Sequence, residues 1–276
     1  ERSPSEIANE SADNRMVGFP YTKYPNAIIQ VDQSAAVILA STAKADELGI
    51  AQDKRVYLHD CSDATELWNP IDRTNYWSSP AIGLCGKKAL DMAGKTVADM
   101  ALFDIYSCFP SAVQIACAEL GIAPDDARPL TVTGGLPYFG GPGNNYVMHS
   151  IVSMAERLRA QAGKYGLVTA NGWFLTKHAV GVYSSVPPAA PFEREDPKKY
   201  QREIDDLPRP PVVDEPAGAA RRPRSATSPT RSASWFTSRL CVRTSSASRA
   251  ACSALSPISR VAACCCEIAA AILPAP

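Results

Sequence analysis

Apolar positions along the first 186 residues follow two periods, and the elements they predict alternate between strand and helix. Residues 1–30 follow neither period and read as irregular, with a polar start before Gly18-Phe19-Pro20-Tyr21. An apolar run at 35–40 leads into a helical stretch at 42–48, which Gly49 closes. Arg55-Val56-Tyr57-Leu58-His59 alternates and predicts a strand, followed by a polar loop carrying Trp68, Tyr76 and Trp77. Pro80 opens a helix whose Ile82, Cys85, Ala89 and Met92 form one stripe before Gly94. Residues 101–106 predict a short buried strand. Pro110 opens another helix, with Val113, Cys117 and Leu120 on one face and Gly121 as its stop. After a glycine-rich stretch, Val147, Ile151, Met154, Leu158 and Ala162 mark a longer amphipathic helix. Strands at 165–170 and 179–184 complete the compact part. Strands alternating with helices predict an α/β layered fold.

Composition narrows the classes. The 276 residues are 46% hydrophobic, enough for a real core and against wholesale disorder. Lys+Arg 28 balance Asp+Glu 28, which excludes a uniformly basic nucleic-acid binder and an acidic solvating chain. The balance hides an asymmetry. Residues 219–276 hold eight Arg against one acidic residue, Glu267, a net +7 that leaves −7 on the preceding body. Between them, residues 187–216 are rich in proline and charge and read as a linker with one short helix near 198–207. The nine Cys divide the same way: Cys61, Cys85, Cys108 and Cys117 are scattered in the body, and five crowd the tail. No CxxC pair has zinc-ligand spacing, and the three His are too scattered to suggest a metal. Scattered single Cys suggest reduced thiols and a cytoplasmic setting. No phosphate-loop or dinucleotide spacing occurs, so no nucleotide cofactor is expected. No apolar run reaches the ~18–20 residues of a membrane span, and no membrane partner is expected.

Several local strings, in order, resemble the C-terminal half of a thiolase, the enzymes that condense or cleave acyl-CoA thioesters. Asp32-Gln33-Ser34-Ala35-Ala36 resembles the small-residue segment that opens this half. Asp104-Ile105-Tyr106-Ser107-Cys108-Phe109 is similar to Asn-Glu-Ala-Phe of ordinary thiolases and closer to His-Asp-Cys-Phe of the sterol-carrier type. Gly134-Gly135 with Gly140-Gly141-Pro142 resembles the Gly-Gly…Gly-His-Pro loop, and Ala170-Asn171-Gly172 falls at Cys-x-Gly. The resemblance implies an α/β thiolase-like layered fold, a mixed sheet covered by helices, at 26–186. Residues 1–25 are then a remnant of a preceding loop region, 187–218 a Pro-rich linker, and 219–276 a low-complexity tail. It also implies that Tyr106, Gly141 and Ala170 stand where the oxyanion-hole Asn or His, the supporting His and the proton-moving Cys are expected. The acyl-carrying Cys belongs to an N-terminal half, and the chain, which begins with Glu1, is expected to be a fragment lacking that half.

Thioester chemistry needs a soft nucleophile, donors aimed at a developing oxyanion and a base near the α-carbon. Cys108 precedes the helix opened by Pro110, where backbone N–H groups favour a thiolate; the alternative is a small apolar residue packed between layers. His149 lies about one turn into its helix and either replaces the His lost at Gly141 or faces solvent. His178, read in the turn after Asn171-Gly172, is suited to proton transfer or is a surface-loop His. Tyr106 and Asn171 could donate to a thioester oxygen or satisfy a buried edge. His59 is structural. Gly140 and Gly141 allow close approach of backbone to ligand, or simply make the turn.

The expected function is the C-terminal portion of an acyl-CoA acyltransferase, with the usual His and Cys replaced and this fragment inactive. Tyr106, His149 and His178 are its catalytic candidates, and Cys108, Gly140, Gly141, Asn171 and Gly172 its binding candidates. An acyl-CoA thioester is the substrate, with no bound cofactor. The alternative is a non-catalytic acyl-CoA-binding scaffold. The tail reads as disordered, with the composition of a GC-rich gene out of frame; a nucleic-acid arm and an acylated anchor at Cys264-Cys265-Cys266 are the other accounts. Unpartnered helices should expose apolar surface and favour homo-oligomers.

Overall fold

The computed structural model describes residues 2–211 and 271–273. The remaining tail, and with it the expectations of disorder, of an anchor and of an arm, lies outside the described residues.

The irregular start holds more structure than its composition suggests. Ser3 and Glu6 form a reciprocal capping box that starts α1 (Pro4–Ala8), with Pro4 in the first turn. Buried Asn14 then donates to the carbonyls of Glu6, Ile7 and Asn9 and accepts from the Tyr24 N–H, holding the two-stranded ribbon β1 (Met16–Gly18) and β2 (Tyr21–Thr22) beside that helix. These are side-chain-to-backbone bonds, which leave no hydrophobic period to read.

Next come β3 (Ile38–Ala40) and α2 (Thr42–Glu47), capped by Ser41. The strand predicted over five residues is twice as long: β4 runs Val56–Thr65. Its second half escaped the alternation rule because a bulge at Leu58/Asp60 reverses the inward parity. Val56, Leu58 and Cys61 therefore face one core, and Ala64 the other. Beyond it lie α3 (Pro80–Met92), β5 (Met100–Asp104), α4 (Pro110–Leu120), α5 (Tyr146–Ala160), β6 (Tyr165–Gly172) and β7 (Lys177–Ser184). Two short helices follow, α6 (Pro197–Tyr200) and α7 (Arg202–Asp205), and then β8 (Ala271–Leu273).

One six-stranded mixed sheet organises the chain, in the order β3-β8-β4-β7-β6-β5. β5 and β6 are parallel; the other pairs are antiparallel. Three tail residues thus join the sheet as β8, between β3 and β4.

Period-2 alternation sends side chains to two cores. Leu167, Val180 and Val182 meet α3 and α4 on one face, while Val168, Ala179 and Tyr183 meet Met154, Ala155 and Leu158 of α5 on the other. Tyr200 and Ile204, from the stretch read as linker, pack fully into the α3/α4 core. α5 is rotated from its expected stripe: Tyr146, Ser150, Met154, Ala155 and Leu158 are its buried residues, because Tyr146 and Ser150 turn toward a carboxylate.

Candidate functional site

β5 and β6 run in parallel, and the chain leaving their carboxyl ends lines a shared crevice, where open α/β sheets bind ligands. Two sequence strings meet there: residues 104–109 after β5, and 170–172 at the end of β6.

Asp104 builds the first wall. Its fully buried carboxylate accepts from six donors. Oδ2 takes Thr131 Oγ1 (3.1 Å), Val132 N (3.0 Å), Thr133 N (3.1 Å) and Thr133 Oγ1 (3.1 Å). Oδ1 takes Tyr146 Oη and Ser150 Oγ, each at 3.0 Å. A buried carboxylate is tolerable when its lone pairs are filled in this way, and here it ties β5, the entry to the glycine-rich loop and α5 into one unit.

Ser107 Oγ accepts the Leu136 N–H at 3.1 Å, bringing the loop against residues 106–108. Gly135 makes that approach possible: φ is +81°, and a Cβ there would stand 2.7 Å from Ser107 Oγ. Residues 27–28 cover the loop from outside. Ala27 N–H donates to the Cys108 carbonyl (3.2 Å), Ile28 N–H to Leu136 (3.3 Å), and Gly141 N–H to Ile28 (2.7 Å). Gly141 is consequently enclosed; a Cβ would lie 3.3–3.4 Å from Ile28 O, Ala27 Cβ and Leu136 Cδ2.

Tyr106, Asn171 and His178 line one cavity of ≈ 10 Å³, room for about one water, together with Thr169, Ala170 and Leu175. Thr169 Oγ1 accepts the Tyr106 N–H at 2.9 Å, and burial pushes the Tyr106 phenol up to about 12. Asn171 Nδ2 donates to Cys108 Sγ at 3.7 Å, while its buried Oδ1 has no hydrogen-bond partner among the described residues. Burial raises the Cys108 thiol, outweighing the bonds from the Phe109 backbone and Asn171 that favour the thiolate. The packed, protonated alternative for Cys108 is the one its surroundings favour.

His178 is not in a turn. It is the second residue of β7, paired with Asn171 and buried. β6 runs two residues further than predicted because the true turn lies at 173–176, where Trp173 and Leu175 adopt positive φ (58° and 54°). Burial drives the His178 imidazole down to about 4, helped by the Arg73 charge and opposed by backbone groups of Leu175 and Ala170. His149 sits apart on the α5 side. Its ring meets Phe139 of the glycine-rich loop (centroids 5.2 Å), Nε2 lies 3.4 Å from Asn145 Nδ2, and burial lowers its pKa. The Tyr106 ring meets Tyr146 on that side, edge to face at 5.4 Å. His59 is held by the Val186 carbonyl (2.7 Å) and the Tyr165 ring.

Gly172 closes β6 opposite Lys177. Gly140 sits beside Gln33, whose Nε2 donates to the Phe139 carbonyl at 2.8 Å. The structure therefore gathers Tyr106, Cys108, Asn171 and His178, sets Gly140 and Gly141 in the adjoining loop, and separates His149.

The fold that carries this site is similar to that of a solved structure. A monomeric SCP2-thiolase like protein type 1 from Mycobacterium smegmatis matches with a TM-score of 0.68 at 35% identity, over 77% of this chain and 46% of that one. This part of the chain belongs to the thiolase superfamily. The 3-ketoacyl-CoA thiolases of Salmonella heidelberg (strain SL476) and Salmonella typhimurium are 32% identical over 161 residues and 30% over 162. Each alignment covers 52% of this chain and 35% of the relative, so the chain spans about a third of the length of the curated thiolases it matches. No family model matches.

The mixed sheet is covered by helices on both faces, and among the described residues no helix is long and apolar enough to cross a membrane. Two polar residues near the site, Glu66 and Ser79, were not singled out in the sequence, and Asp104 was named only as part of its string, without its anchoring role. Ser79 before Pro80 carried a helix-start signal; Glu66 carried none.

Proposed function

We propose that this chain is the C-terminal portion of a thiolase-type acyltransferase and binds a CoA thioester at the carboxyl ends of β5 and β6. The observation that carries this reading is the convergence of Tyr106 and Asn171 on one small cavity, with Cys108 bonded to Asn171 behind it and the glycine-rich loop clamped nearby by Asp104 and Ser107. Asn171 and Tyr106 are the polar groups suited to a thioester oxygen. The relatives are named for 3-ketoacyl-CoA, which supports a CoA thioester as the ligand.

In this reading the chain by itself transfers no acyl group. Cys108 is held as a thiol, and Gly141, closely flanked by Ile28, Ala27 and Leu136, supplies no imidazole. That lack also favours the second reading, a scaffold that binds acyl-CoA without turnover in any assembly.

Calorimetric titration with acetyl-CoA tests the proposal. Binding should weaken about tenfold in Asn171→Ala, equivalent to about 1.4 kcal/mol for one lost hydrogen bond. Absence of binding to any CoA ester, or unaltered affinity in Asn171→Ala, overturns it. Acyl transfer by the isolated chain would refute the claim that transfer needs a further portion.

A further inference from the structure

Glu66, Ser79 and His178 come from three separate places: just after β4, the position capping α3, and β7. All three are buried. Ser79 Oγ lies 3.2 Å from Glu66 Oε2 and 3.2 Å from His178 Nε2. The serine, not the imidazole, is the central group, so the array is not a hydrolase triad, in which the carboxylate holds the far nitrogen of the histidine. The ends are fixed. Glu66 Oε1 accepts Leu67 N–H (3.1 Å), Oε2 accepts Ala81 N–H (3.2 Å), and the Ser79 N–H donates to Glu119 Oε1 (2.8 Å). Arg73, bonded to the Leu67 and Phe174 carbonyls and to Thr176 Oγ1, places its charge near Glu66 and His178. Cys85 Sγ faces the His178 carbonyl at 3.8 Å, and Tyr106 lines the cavity with His178.

The hydrogens of the two bonds through Ser79 can be arranged in two ways, while backbone groups of Leu175 and Ala170 also bond the imidazole. With Glu66 ionised, Ser79 donates to Glu66, His178 Nε2–H donates to Ser79, and Nδ1 is bare. With Glu66 protonated, every bond reverses: Glu66 donates to Ser79, Ser79 donates to Nε2, and Nδ1 carries the hydrogen. A proton arriving at Nδ1 can therefore leave at Glu66 without a lasting imidazolium in the buried site.

We propose that Glu66, Ser79 and His178 form a buried proton relay serving the Tyr106–Asn171 cavity. Its service rests on the thioester reading above. A proton leaves the α-carbon of the bound thioester for the one water the cavity has room for, and that water passes one of its own protons to Nδ1. Nε2 gives its proton to Ser79, and Ser79 gives its own to Glu66. The products are the thioester enolate and a neutral Glu66 carboxyl, so charge is conserved, and reversal returns the proton.

Two-bond 1H–15N NMR on the histidine-labelled chain, without any CoA ester, separates the Nε2–H, Nδ1–H and imidazolium forms of its three His. His178 should exchange Nε2–H for Nδ1–H as pH falls, while still neutral and before the imidazolium that forms toward pH 4. Glu66→Gln should hold one tautomer throughout the pH range in which His178 is neutral. Ser79→Ala, which removes the bridge and keeps both ends, should do the same and serves if Glu66→Gln does not fold. A wild-type His178 with one tautomer throughout, direct conversion to imidazolium, or a switch that survives both substitutions overturns the relay. Deuterium uptake from D2O at the acetyl-CoA methyl group then reads the service. Uptake at least tenfold slower in Glu66→Gln with unchanged binding supports it; equal uptake, or none in a wild type that binds, overturns it. Failure to bind acetyl-CoA overturns the thioester reading and the service to it, while the tautomer switch still decides the relay.

Discussion

Removing the Asp104 carboxylate separates the anchor's charge from its shape. In Asp104→Ala all six donors lose their acceptor, but not all are stranded. Thr131 Oγ1 and Thr133 Oγ1 are already 3.0 Å apart, Thr133 N–H also reaches Thr131 Oγ1 at 3.2 Å, Tyr146 Oη reaches Thr133 Oγ1 at 2.7 Å, and Ser150 Oγ reaches the Tyr146 carbonyl at 3.4 Å. The Val132 N–H has no such alternative among the described residues. One buried stranded donor costs about 1–3 kcal/mol, and losing charge-assisted bonds costs a similar amount; relief of a buried charge offsets part. The expected destabilisation is about 3–4 kcal/mol. Asp104→Asn can keep an oxygen toward the four loop donors and present its NH2 to Tyr146 and Ser150, whose hydroxyls can turn to accept. It should cost only about 1 kcal/mol. Urea unfolding followed by circular dichroism measures both, and amide exchange across residues 131–139 should accelerate mainly in the alanine variant. An Asp104→Asn as damaging as Asp104→Ala, or an alanine variant within 1 kcal/mol of wild type, would refute the anchor argument.

Two other outcomes follow from charges and turns. His178 is held down to about 4, below the ~6.5 of an unfolded chain, so its stabilising contribution is complete above pH ~6.5 and is lost as pH falls toward 4. Asp60, raised to about 6 chiefly by burial, runs the other way: its contribution is complete below about 3.8 and lost as pH rises through 6. The stability difference between wild type and His178→Gln isolates the histidine and should shrink by about 2.5 kcal/mol between pH 7.5 and 4.5, as urea titration measures; a constant difference would contradict it. Arg73→Ala releases the Phe174 carbonyl and Thr176 from the 67–73 loop, while Trp173 and Leu175 remain at positive φ, each costing about 1–3 kcal/mol. Limited proteolysis should then cut at 173–175 at least several-fold faster; an unchanged rate would show that the turn holds itself.

By itself the sequence determined the layered α/β class, because strand and helix periods alternate and Pro80, Pro110, Gly49 and Gly121 punctuate them where the helices begin and end. The strings at 104–109, 134–142 and 170–172 were brought together only by their resemblance, in that order, to thiolase motifs. What the sequence could not determine were features made by contacts between distant residues. The bulge in β4 hid half a strand from a period-2 reading, and Asn14 ordered the start through backbone bonds without apolar spacing. The turn at 173–176 moved His178 from an expected loop into the sheet, where burial governs its protonation. Tertiary structure alone decided that Asp104 anchors the loop, that Ile28 encloses Gly141, and that Glu66 meets Ser79 and His178. Each depends on partners across the fold, and hydrogen bonding between such partners leaves no periodic trace along the chain.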